Sequence, residues 1–487
     1  MSVYDDYEMT IGIECHVQLA TKTKLFSRAD NDARDKQPNT CVSIIDYGLP
    51  GMLPILNKQA INLAIKAGKA LNAKIANVSR FDRKHYFYPD LPKGYQTTQM
   101  YQPIILAGHV DAPLEDGSTV RAHIHHAHLE EDAGKLSHFG DHSLVDLNRA
   151  GTPLIEIVSE PDIHSAAGAR AYATELYRLM TYAGVTHGDL YHGNMRFDVN
   201  ISVAKKGASE LGKRAEVKNL NSFRSVERAA EYEFKRQVDL LESGQTVVQE
   251  TRGWDDDKQI TTSQRSKEDA QDYRYMPDAD IPPVVLSDEE IASIQSEVPM
   301  LPAQYRESWD SLQLDKSVVN SLLANQSYAR ITTEIQKKSG DAPARRVAHW
   351  FASALVADDG SGSDEDAIPV DNTAPFVSIE DLTTLAIMTE DSEISSTNAK
   401  ELFNELLSGA KDVRALAESK NMLQVSDEGA IATIVDEVLA DPASAASIAD
   451  YKAGKEKAIG YLVGQIMKKS QGKANPALAQ KLIKERL

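Results

Sequence analysis

The segment Thr10–Leu19 constrains the fold more than any other, because its residues alternate between the two sides of an extended chain. The odd-numbered residues are all apolar, whereas the even-numbered ones include Glu14, His16 and Gln18. A period of two predicts a half-buried β-strand with one apolar and one polar face. The same period sets Glu14 and His16 side by side, either as groups that meet water or as a pair of metal ligands. The segment alone leaves both interpretations open.

The size and composition predict a globular protein of several domains. A chain of 487 residues can form two to four domains, and its 42% hydrophobic content can supply each with a core. Two cysteines, Cys15 and Cys41, are too few for a disulfide framework or a four-cysteine zinc site. The apolar runs are too short for a transmembrane helix, and the acidic start resembles no secretory signal, so we expect a cytoplasmic protein.

The distribution of charge qualifies the net charge of −19, which by itself disfavours a polyanionic partner. Residues 351–450 contain 21 acidic and four basic side chains, a net of −17. Residues 451–487 contain nine basic and two acidic side chains, a net of +7. The C-terminus is therefore a basic segment on an acidic molecule.

An acidic octet at residues 128–135 is the next feature that indicates chemistry. It places Glu130, Glu131 and Asp132 next to each other, just before Gly134 and a lysine. This pattern is typical of a site that handles a cation or a phosphate, although a solvated acidic surface is the alternative. A further carboxylate, Glu156, lies in a predicted aliphatic strand. If it is buried there, it must be paired, protonated or bound to a metal.

Two further segments carry cations together with carboxylates or aromatic rings. Residues 193–202 alternate as a strand, with Arg196, Asp198 and Asn200 on one face. Residues 80–90 are rich in cations and aromatic residues. They could form a packed surface strand, or they could equally line a polar pocket for a phosphate or an acyl group, with Lys84 as a point charge. Residues 207–214 resemble a P-loop but have Arg214 in place of the Ser or Thr that would hold Mg²⁺, so we predict a hairpin turn there.

A cluster of four histidines, His123, His125, His126 and His128, suggests zinc at first sight. Strand alternation predicts that His123 and His125 point to one face and that His126 and His128 point to the other. No single face then holds three imidazole ligands, which disfavours a catalytic zinc site.

Periodicity also predicts the larger elements. Helices are predicted at about 57–71, 166–183 and 223–243, and a helical pattern begins near residue 288. Residues 102–127 are predicted to form strands around a turn at 116–117. Residues 358–366 are predicted to form a disordered acidic linker.

The motifs described so far belong to a series that spans nearly the whole chain. Its segments are Ile11–Glu14 with His16, Phe81–Lys84, Tyr86–Asp90, the octet 128–135, Asp146–Arg149, Pro153–Glu156, Met195–Arg196 with Asp198, Glu216–Ser222, Asp272–Tyr275, Gly464–Met467 and Gly472–Pro476. This series resembles the GatB family of tRNA-dependent amidotransferases, and its last part is similar to the YqeY proteins. His85, Phe197 and residues 192–194 depart from the usual family sequence.

The resemblance implies an α+β fold with three domains. A cradle domain with a mixed or antiparallel sheet would occupy residues 1–290. An all-α helical domain, which includes the acidic linker at 358–367, would occupy residues 291–410. A small α-helical tail domain that contacts tRNA would occupy residues 411–487.

The resemblance also implies an ATP-dependent carbon–nitrogen ligase with glutamine as its nitrogen donor. ATP and Mg²⁺ would serve to phosphorylate the side-chain carboxylate of misacylated Glu-tRNA(Gln) or Asp-tRNA(Asn), and ammonia would then displace the phosphate. The ammonia would come through a channel from a separate amidase subunit (GatA), and a small third subunit (GatC) would complete a heterotrimer.

The family's site residues carry over by position. Glu14, His16, Glu131 and Asp198 are the implied catalytic residues, and the same four together with Glu130 and Glu156 are the implied metal ligands. The other implied roles are nucleotide binding by Arg196, Lys84 and Asn200, an ammonia channel lined by Lys84, Tyr86 and Lys93, and tRNA binding by Lys468, Lys469 and Lys473. Two alternatives remain, namely a tRNA-binding scaffold with a degenerate site and a zinc hydrolase that uses the histidine cluster.

Overall fold

The computed structural model describes residues 2–266, 272–358, 377–424, 428–470 and 474–487. The chain forms two compact units, Met1–Gln304 and Tyr305–Leu487. The first unit is built around a large sheet, and the second is helical. The predicted α+β fold class is therefore confirmed. The predicted division into three domains, with boundaries near residues 290 and 410, stays a prediction.

The strands among the described residues follow one another in chain order. They are β1 (Tyr7–Gln18), β2 (Val78–Ser79), β3 (Asp82–His85), β4 (Tyr95–Thr98), β5 (Gly108–Pro113), β6 (Thr119–Glu131), β7 (Lys135–Phe139), β8 (His142–Asp146), β9 (Pro153–Ser159), β10 (Met195–Lys205), β11 (Ala215–Leu220), β12 (Glu250–Asp255), β13 (Ile260–Ser266), β14 (Met276–Pro277) and β15 (Val284–Val285).

The α-helices follow the same order, and short 3₁₀ turns lie at Val3–Asp6, Asp310–Leu312, Pro442–Ser444 and Glu456–Ala458. They are α1 (Lys58–Ala70), α2 (Ala166–Tyr182), α3 (Phe223–Glu242), α4 (Asp288–Ser296), α5 (Pro302–Ser308), α6 (Lys316–Ala324), α7 (Gln326–Ser339), α8 (Asp341–Asp358), α9 (Ile379–Glu390), α10 (Ser396–Leu407), α11 (Val413–Ser419), α12 (Glu428–Ala440), α13 (Ala445–Lys452), α14 (Ile459–Lys469) and α15 (Pro476–Arg486).

The main sheet has the order β13-β12-β11-β10-β1-β9-β6-β5 and is antiparallel except between β11 and β12. The predicted N-terminal strand, β1, lies inside it between β9 and β10. Its apolar residues Ile11, Ile13, Cys15 and Val17 are no more than 1% exposed. Helices α2 and α3 pack on the sheet, so the opposite face remains for the polar residues.

Helices α2 and α3 begin at serines whose side chains cap them. Ser165 accepts a hydrogen bond from the Gly168 amide, and Ser222 accepts one from the Ser225 amide. These contacts satisfy amides that have no partner inside the helix. The three helices predicted in the first half of the chain are confirmed as α1, α2 and α3.

Strand β6 contains an irregularity that corrects the predicted orientation of the histidines. Its register with β9 shifts between Ile124 and His126. An extra residue at this point reverses the alternation, so Ile124 and Ala127 are both buried while His123 and His126 both lie on the opposite face. The prediction that His123 and His126 point to opposite faces is therefore wrong, because uninterrupted alternation was assumed.

The connection at residues 206–214 joins the antiparallel strands β10 and β11, as predicted for a hairpin, and no helix follows it. The predicted turn at 116–117 likewise joins β5 and β6. A small sheet of order β14-β3-β4 carries Lys84 on its middle strand. Strand β4 packs against β6 and thereby brings this small sheet to Glu131, in the first half of the acidic octet.

The second unit is built from helices, and Trp309 is its largest fully buried side chain. Helices α12, α14 and α15 share a separate hydrophobic core centred on Val435, Leu462 and Ile483. Residues 359–367 of the predicted acidic linker lie outside the described residues, as does Lys473. No helix of the described residues has the length and apolar character needed to cross a membrane.

Candidate active site

The polar face of the main sheet gathers ionisable side chains from five neighbouring strands. Strand register places Glu156 of β9 between His16 of β1 and His128 of β6. Register on the other side of β1 sets His16 opposite Arg196 and sets Glu14 opposite Asp198 of β10. The prediction that Glu14 and His16 share a polar face is confirmed, and this face is the candidate active site.

The first group on this face consists of His16, Glu130 and Glu156. One potential ligand atom from each lies within 4.8 Å of the other two. His16 Nε2 is 3.4 Å from Glu130 Oε1 and 3.8 Å from Glu156 Oε2. Since Glu130 is only 3% exposed, its charge must be balanced locally. The register of three strands thus assembles a compact nitrogen and oxygen donor set.

His128 supplies part of this balance. Its Nε2 lies 3.2 Å from Glu156 Oε2 and 3.8 Å from Glu130 Oε2. Burial alone would lower the pKa of His128, but the two carboxylates raise that pKa to about 9. Burial alone would raise the pKa of Glu156, but His128, His16 and Lys84 hold it well below its usual range. Glu156 is half-buried, and it is paired as predicted for a carboxylate in an apolar strand.

The second group consists of Glu14, Asp198 and Glu216, which come from β1, β10 and β11. Their potential ligand oxygens also lie within 4.8 Å of one another. Lys218 bridges two of them, with Nζ at 2.7 Å from Asp198 Oδ2 and 3.0 Å from Glu216 Oε1. Asn200 donates a hydrogen bond of 2.9 Å to Glu14 Oε1. Three carboxylates and one ammonium give this group a net charge of −2.

The pKa values of this second group reflect incomplete compensation. Burial raises the pKa of Glu14, and the neighbouring Glu156 and Glu216 raise it further. Burial would lower the pKa of Lys218, but Asp198 and Glu216 outweigh that effect and raise it. The group therefore stabilises positive charge at its centre, which is the electrostatic condition for binding a cation.

Glu131, predicted as a direct metal ligand, lies apart from both groups. As a neighbour of Glu130 in a strand, it points to the opposite face of β6. Its carboxylate pairs with the Lys93 ammonium and accepts a hydrogen bond of 2.9 Å from the Thr97 amide. The ligand role of Glu131 stays a prediction, and these contacts suggest a role in positioning Lys93.

The turn that follows β6 brings two arginines together. Arg196 donates a 2.8 Å hydrogen bond to Asp132 Oδ2, and Arg149 Nε lies 3.5 Å from the same oxygen. Arg149 also donates hydrogen bonds to the carbonyls of Ala133 and Gly134, which fixes its position. Two guanidinium groups thus share one carboxylate at the end of the polar face.

Two of the three residues predicted to line an ammonia channel, Lys84 and Tyr86, lie near Glu130 of the first group. Lys84 Nζ is 4.8 Å from the centre of the Tyr273 ring, and the rings of Tyr86 and Tyr273 are 6.0 Å apart. Burial lowers the pKa of Lys84, but Glu130 and other neighbours raise it above its usual value. Lys93 Nζ lies 5.1 Å from the Tyr95 ring.

The donor sets fit the divalent cation that the resemblance implies. The second group offers three carboxylates, and Mg²⁺ prefers a few carboxylate oxygens and retained waters. The first group offers two carboxylates and an imidazole. Among the described residues, these are the sets of three or more such side chains that could hold a metal, and neither includes His123, His125 or His126. The geometry therefore favours the acidic face over the histidine cluster as a metal site.

Sequence reasoning gave no role to four residues that the structure brings to the site. Glu216 and Lys218 alternate with apolar residues in β11, and this period of two was a signal that could have found them. His128 belongs to the histidine cluster and received no role. Arg149 belongs to a motif of the series, but no pattern in the sequence linked it to Arg196.

The predicted tRNA-binding lysines lie in the second unit. Lys468 and Lys469 are exposed near the end of α14, and Lys469 Nζ is 2.6 Å from Glu437 Oε2. Lys473 lies outside the described residues. The role of all three in binding tRNA stays a prediction.

Comparison with known proteins identifies the family. A family model described as the GatB/GatE catalytic domain matches residues 9–292, and one described as the GatB domain matches residues 333–487. Three curated relatives are each named as the B subunit of an aspartyl/glutamyl-tRNA(Asn/Gln) amidotransferase. They come from Alkalilimnicola ehrlichii (46% identical), Halorhodospira halophila (45%) and Pseudomonas aeruginosa (44%), and each alignment covers 99% of both chains.

The fold, the site and these matches together define an amidotransferase component, which is part of a carbon–nitrogen ligase. The chain belongs to the GatB family. Its ionisable face lies entirely within the segment that matches the catalytic-domain model. The resemblance seen in the sequence motifs is therefore confirmed.

Proposed function

We propose that this chain activates and amidates the side-chain carboxylate of Glu-tRNA(Gln), Asp-tRNA(Asn) or both. ATP would serve as the phosphoryl donor, and glutamine would be the source of ammonia. The observation that carries the proposal is the pair of three-ligand groups, His16/Glu130/Glu156 and Glu14/Asp198/Glu216, on one face of the sheet. The names of the relatives support the two tRNA substrates.

The chemistry requires activation because a carboxylate has no adequate leaving group for ammonia. In the first step, a substrate carboxylate oxygen attacks the γ-phosphorus of ATP, the bond to the bridging oxygen breaks, and ADP leaves. In the second step, ammonia attacks the acyl carbon and the carbon–oxygen bond to phosphate breaks. Loss of a proton from nitrogen then gives the amide and inorganic phosphate.

The residues of the face are suited to the first step. Phosphoryl transfer depends on positioning and on neutralising charge more than on covalent help from protein. Glu14, Asp198 and Glu216 would hold Mg²⁺, which when bound neutralises charge on the nucleotide phosphates. Arg196 would orient a phosphate through the guanidinium nitrogens that do not contact Asp132. The first group would hold a second cation near the substrate carboxylate.

Ammonia must reach the acyl phosphate before water does. Lys84 and Tyr86 lie near Glu130 of the first group, whereas Lys93 is held by Glu131 on the opposite face of β6. We propose that these side chains line the last part of the ammonia path from a separate amidase subunit (GatA). A small third subunit (GatC) would complete the enzyme, and Lys468, Lys469 and Lys473 would contact the tRNA.

ATP hydrolysis by the reconstituted complex, with and without each misacylated tRNA, tests the proposal. We expect stimulation by at least one of them and a loss of about 100-fold or more in the Asp198→Asn variant. The matched control is Asp111→Asn. Asp111 lies on the edge strand β5, outside both donor sets, and pairs with Arg121 of β6. If neither misacylated tRNA changes the rate of ATP hydrolysis by the unmodified complex, the proposal is refuted.

The Glu131→Gln variant separates two roles for this residue. If Glu131 holds the metal, as the resemblance implies, the variant loses phosphoryl transfer. If Glu131 positions Lys93, as its contacts suggest, the variant still hydrolyses ATP but forms little amide. Assays of ADP release and of aminoacyl-tRNA product on the same sample distinguish these outcomes. Unchanged phosphoryl transfer would exclude the ligand role.

A further inference from the structure

Three large aromatic side chains project into solvent at one end of the main sheet. Phe87 is 88% exposed, Tyr88 is 54% exposed and Tyr191 is 94% exposed. An aromatic ring that stays in water forgoes the free energy that burial would provide. Several such rings close to an active site therefore indicate a surface that a ligand covers.

Strand register locates this end of the sheet. Strand β6 ends at Glu131, opposite the start of β9 at Pro153. Strand β1 ends where β10 begins at Met195. The connections at 132–134, 147–152 and 183–194 therefore emerge together, and Tyr191 lies on the last of them.

The turn that carries Phe87 and Tyr88 is fixed to the same end. The amide of Gly134 donates a hydrogen bond of 2.9 Å to the Asp90 carbonyl, and the amide of Tyr86 donates one of 3.2 Å to the Gly94 carbonyl. The Phe87 ring lies against Gly94, where a Cβ atom would come within 3.1 Å of the ring. The ring is thus held in place by the turn while most of it faces solvent.

Tyr191 is also supported from behind. Its ring packs edge to face on His192 at 5.1 Å between centroids. His192 Nδ1 in turn lies 2.5 Å from Asp189 Oδ2, which anchors the loop.

Positive charge accompanies the rings. Arg149 donates to the Gly134 carbonyl, and Gly134 is the residue that holds the turn of Phe87 through Asp90. Arg149 and Arg196 share the single carboxylate Asp132, so this trio carries a net charge of +1. The side chain of Arg149 is 42% exposed, and that of Arg196 is 36% exposed. Aromatic rings next to guanidinium groups are the usual means of binding single-stranded nucleic acid.

We propose that Phe87, Tyr88 and Tyr191, together with Arg149, bind the single-stranded 3′ end of the aminoacyl-tRNA. This inference rests on the proposed function. The reacting side-chain carboxylate belongs to an amino acid whose α-carboxyl group is esterified to the terminal ribose, so the last nucleotides must lie within one amino-acid side chain of the polar face. The rings would stack on these bases, and Arg149 would contact a backbone phosphate. Stacking tolerates any base, which suits a terminus that all tRNAs share.

The test measures the affinity of the complete complex for misacylated tRNA. We expect the Phe87→Ala and Tyr191→Ala variants each to bind roughly tenfold more weakly, as the loss of one stacked base predicts. Phe87→Trp should keep the affinity, whereas Phe87→Leu, which retains an apolar side chain without a π face, should lose it. Phe139→Ala is the matched control, because Phe139 is 51% exposed at the tip of the β7–β8 hairpin.

Each other outcome overturns the inference. Unchanged tRNA affinity in both alanine variants would remove the rings from tRNA binding. Loss of the partner subunits in Phe87→Ala, with recovery in Phe87→Leu, would show a protein-docking surface instead. Failure of the proposed function is separate, because it would appear in the unmodified complex as ATP hydrolysis that tRNA does not stimulate.

Discussion

At the scale of single residues, the side chains with the clearest chemical roles are those whose charge is compensated by a neighbouring strand. Glu156 depends on His128 and His16, whereas Asp198 depends on Lys218. Each of these pairs joins two strands, so none could be read from one segment alone. Glu131 differs from these residues. Its place in the sequence suggested a metal ligand, but the alternation of side chains along β6 directs it to the other face, where it pairs with Lys93.

Lys218 should compete with a divalent cation for Asp198 and Glu216. Removing its charge in Lys218→Met leaves three carboxylates with no ammonium, so we expect Mn²⁺ to bind roughly tenfold more tightly, or about 1.4 kcal/mol. Isothermal titration with Mn²⁺ in the absence of nucleotide measures this directly. Lys206→Met, which removes an exposed lysine just after β10, serves as the control. Equal or weaker Mn²⁺ binding by Lys218→Met would mean that Lys218 supports the cation site instead of competing for it.

At the scale of elements, one buried carboxylate joins α3 to the edge of the sheet. Glu233 is fully buried and pairs with Arg236 of its own helix at 2.8 Å and with Arg252 of β12 at 3.1 Å. It also accepts a hydrogen bond from Thr261 of β13. Because α3 packs on β10 and β11, this network helps to hold the strands that carry Asp198 and Glu216.

Replacing Glu233 with alanine should destabilise the first unit strongly. Arg252 would keep Glu250 as a partner but lose the fully buried Glu233, and breaking a buried ion pair typically costs about 3–5 kcal/mol. Urea denaturation, followed by tryptophan fluorescence, measures the change in the free energy of unfolding. Glu231→Ala is the control on the same helix, since its pair with Lys235 is exposed and should contribute less than ~0.5 kcal/mol. Equal effects of the two substitutions would contradict this account.

At the scale of the whole molecule, charge is unevenly divided along the chain. The acidic residues 351–450 precede a basic terminus that carries Lys468 and Lys469 on α14. The acidic side chains of the main sheet are gathered in the two donor sets, where neighbouring cationic side chains partly balance their charge. The basic C-terminal segment, with its net charge of +7, is suited to binding a polyanion.

The salt dependence of tRNA binding should reveal this division. If Lys468 and Lys469 each neutralise a phosphate, replacing both with glutamine should reduce the slope of log affinity against log salt by roughly 2. Replacing Lys58 and Lys69 of α1 in the same way provides a matched loss of two charges. Titrations at several salt concentrations give the slope. An unchanged slope in the α14 variant would exclude these lysines from the tRNA interface.

The sequence by itself determined the elements and the family. The period of two in β1, the helical stripes and the serine caps are local properties, so the strand and the three helices appear within a few residues of their predicted bounds. The motif series identifies the family in the same way, because its residue types and spacings are written along the chain. Local patterns also predicted that Glu14 and His16 lie on one face, because alternation within one strand needs no information from its neighbours.

The tertiary structure alone decided which of these faces meet and in what register. Register depends on pairing between segments more than 100 residues apart, as between β1 and β9, and no local pattern specifies it. One extra residue near His125 reversed the orientation of half of β6 and so brought His126, His128 and Glu130 to the polar face. The same long-range pairing placed Glu216 and Lys218 beside Glu14, and completed a site of which the sequence had shown only the separate strands.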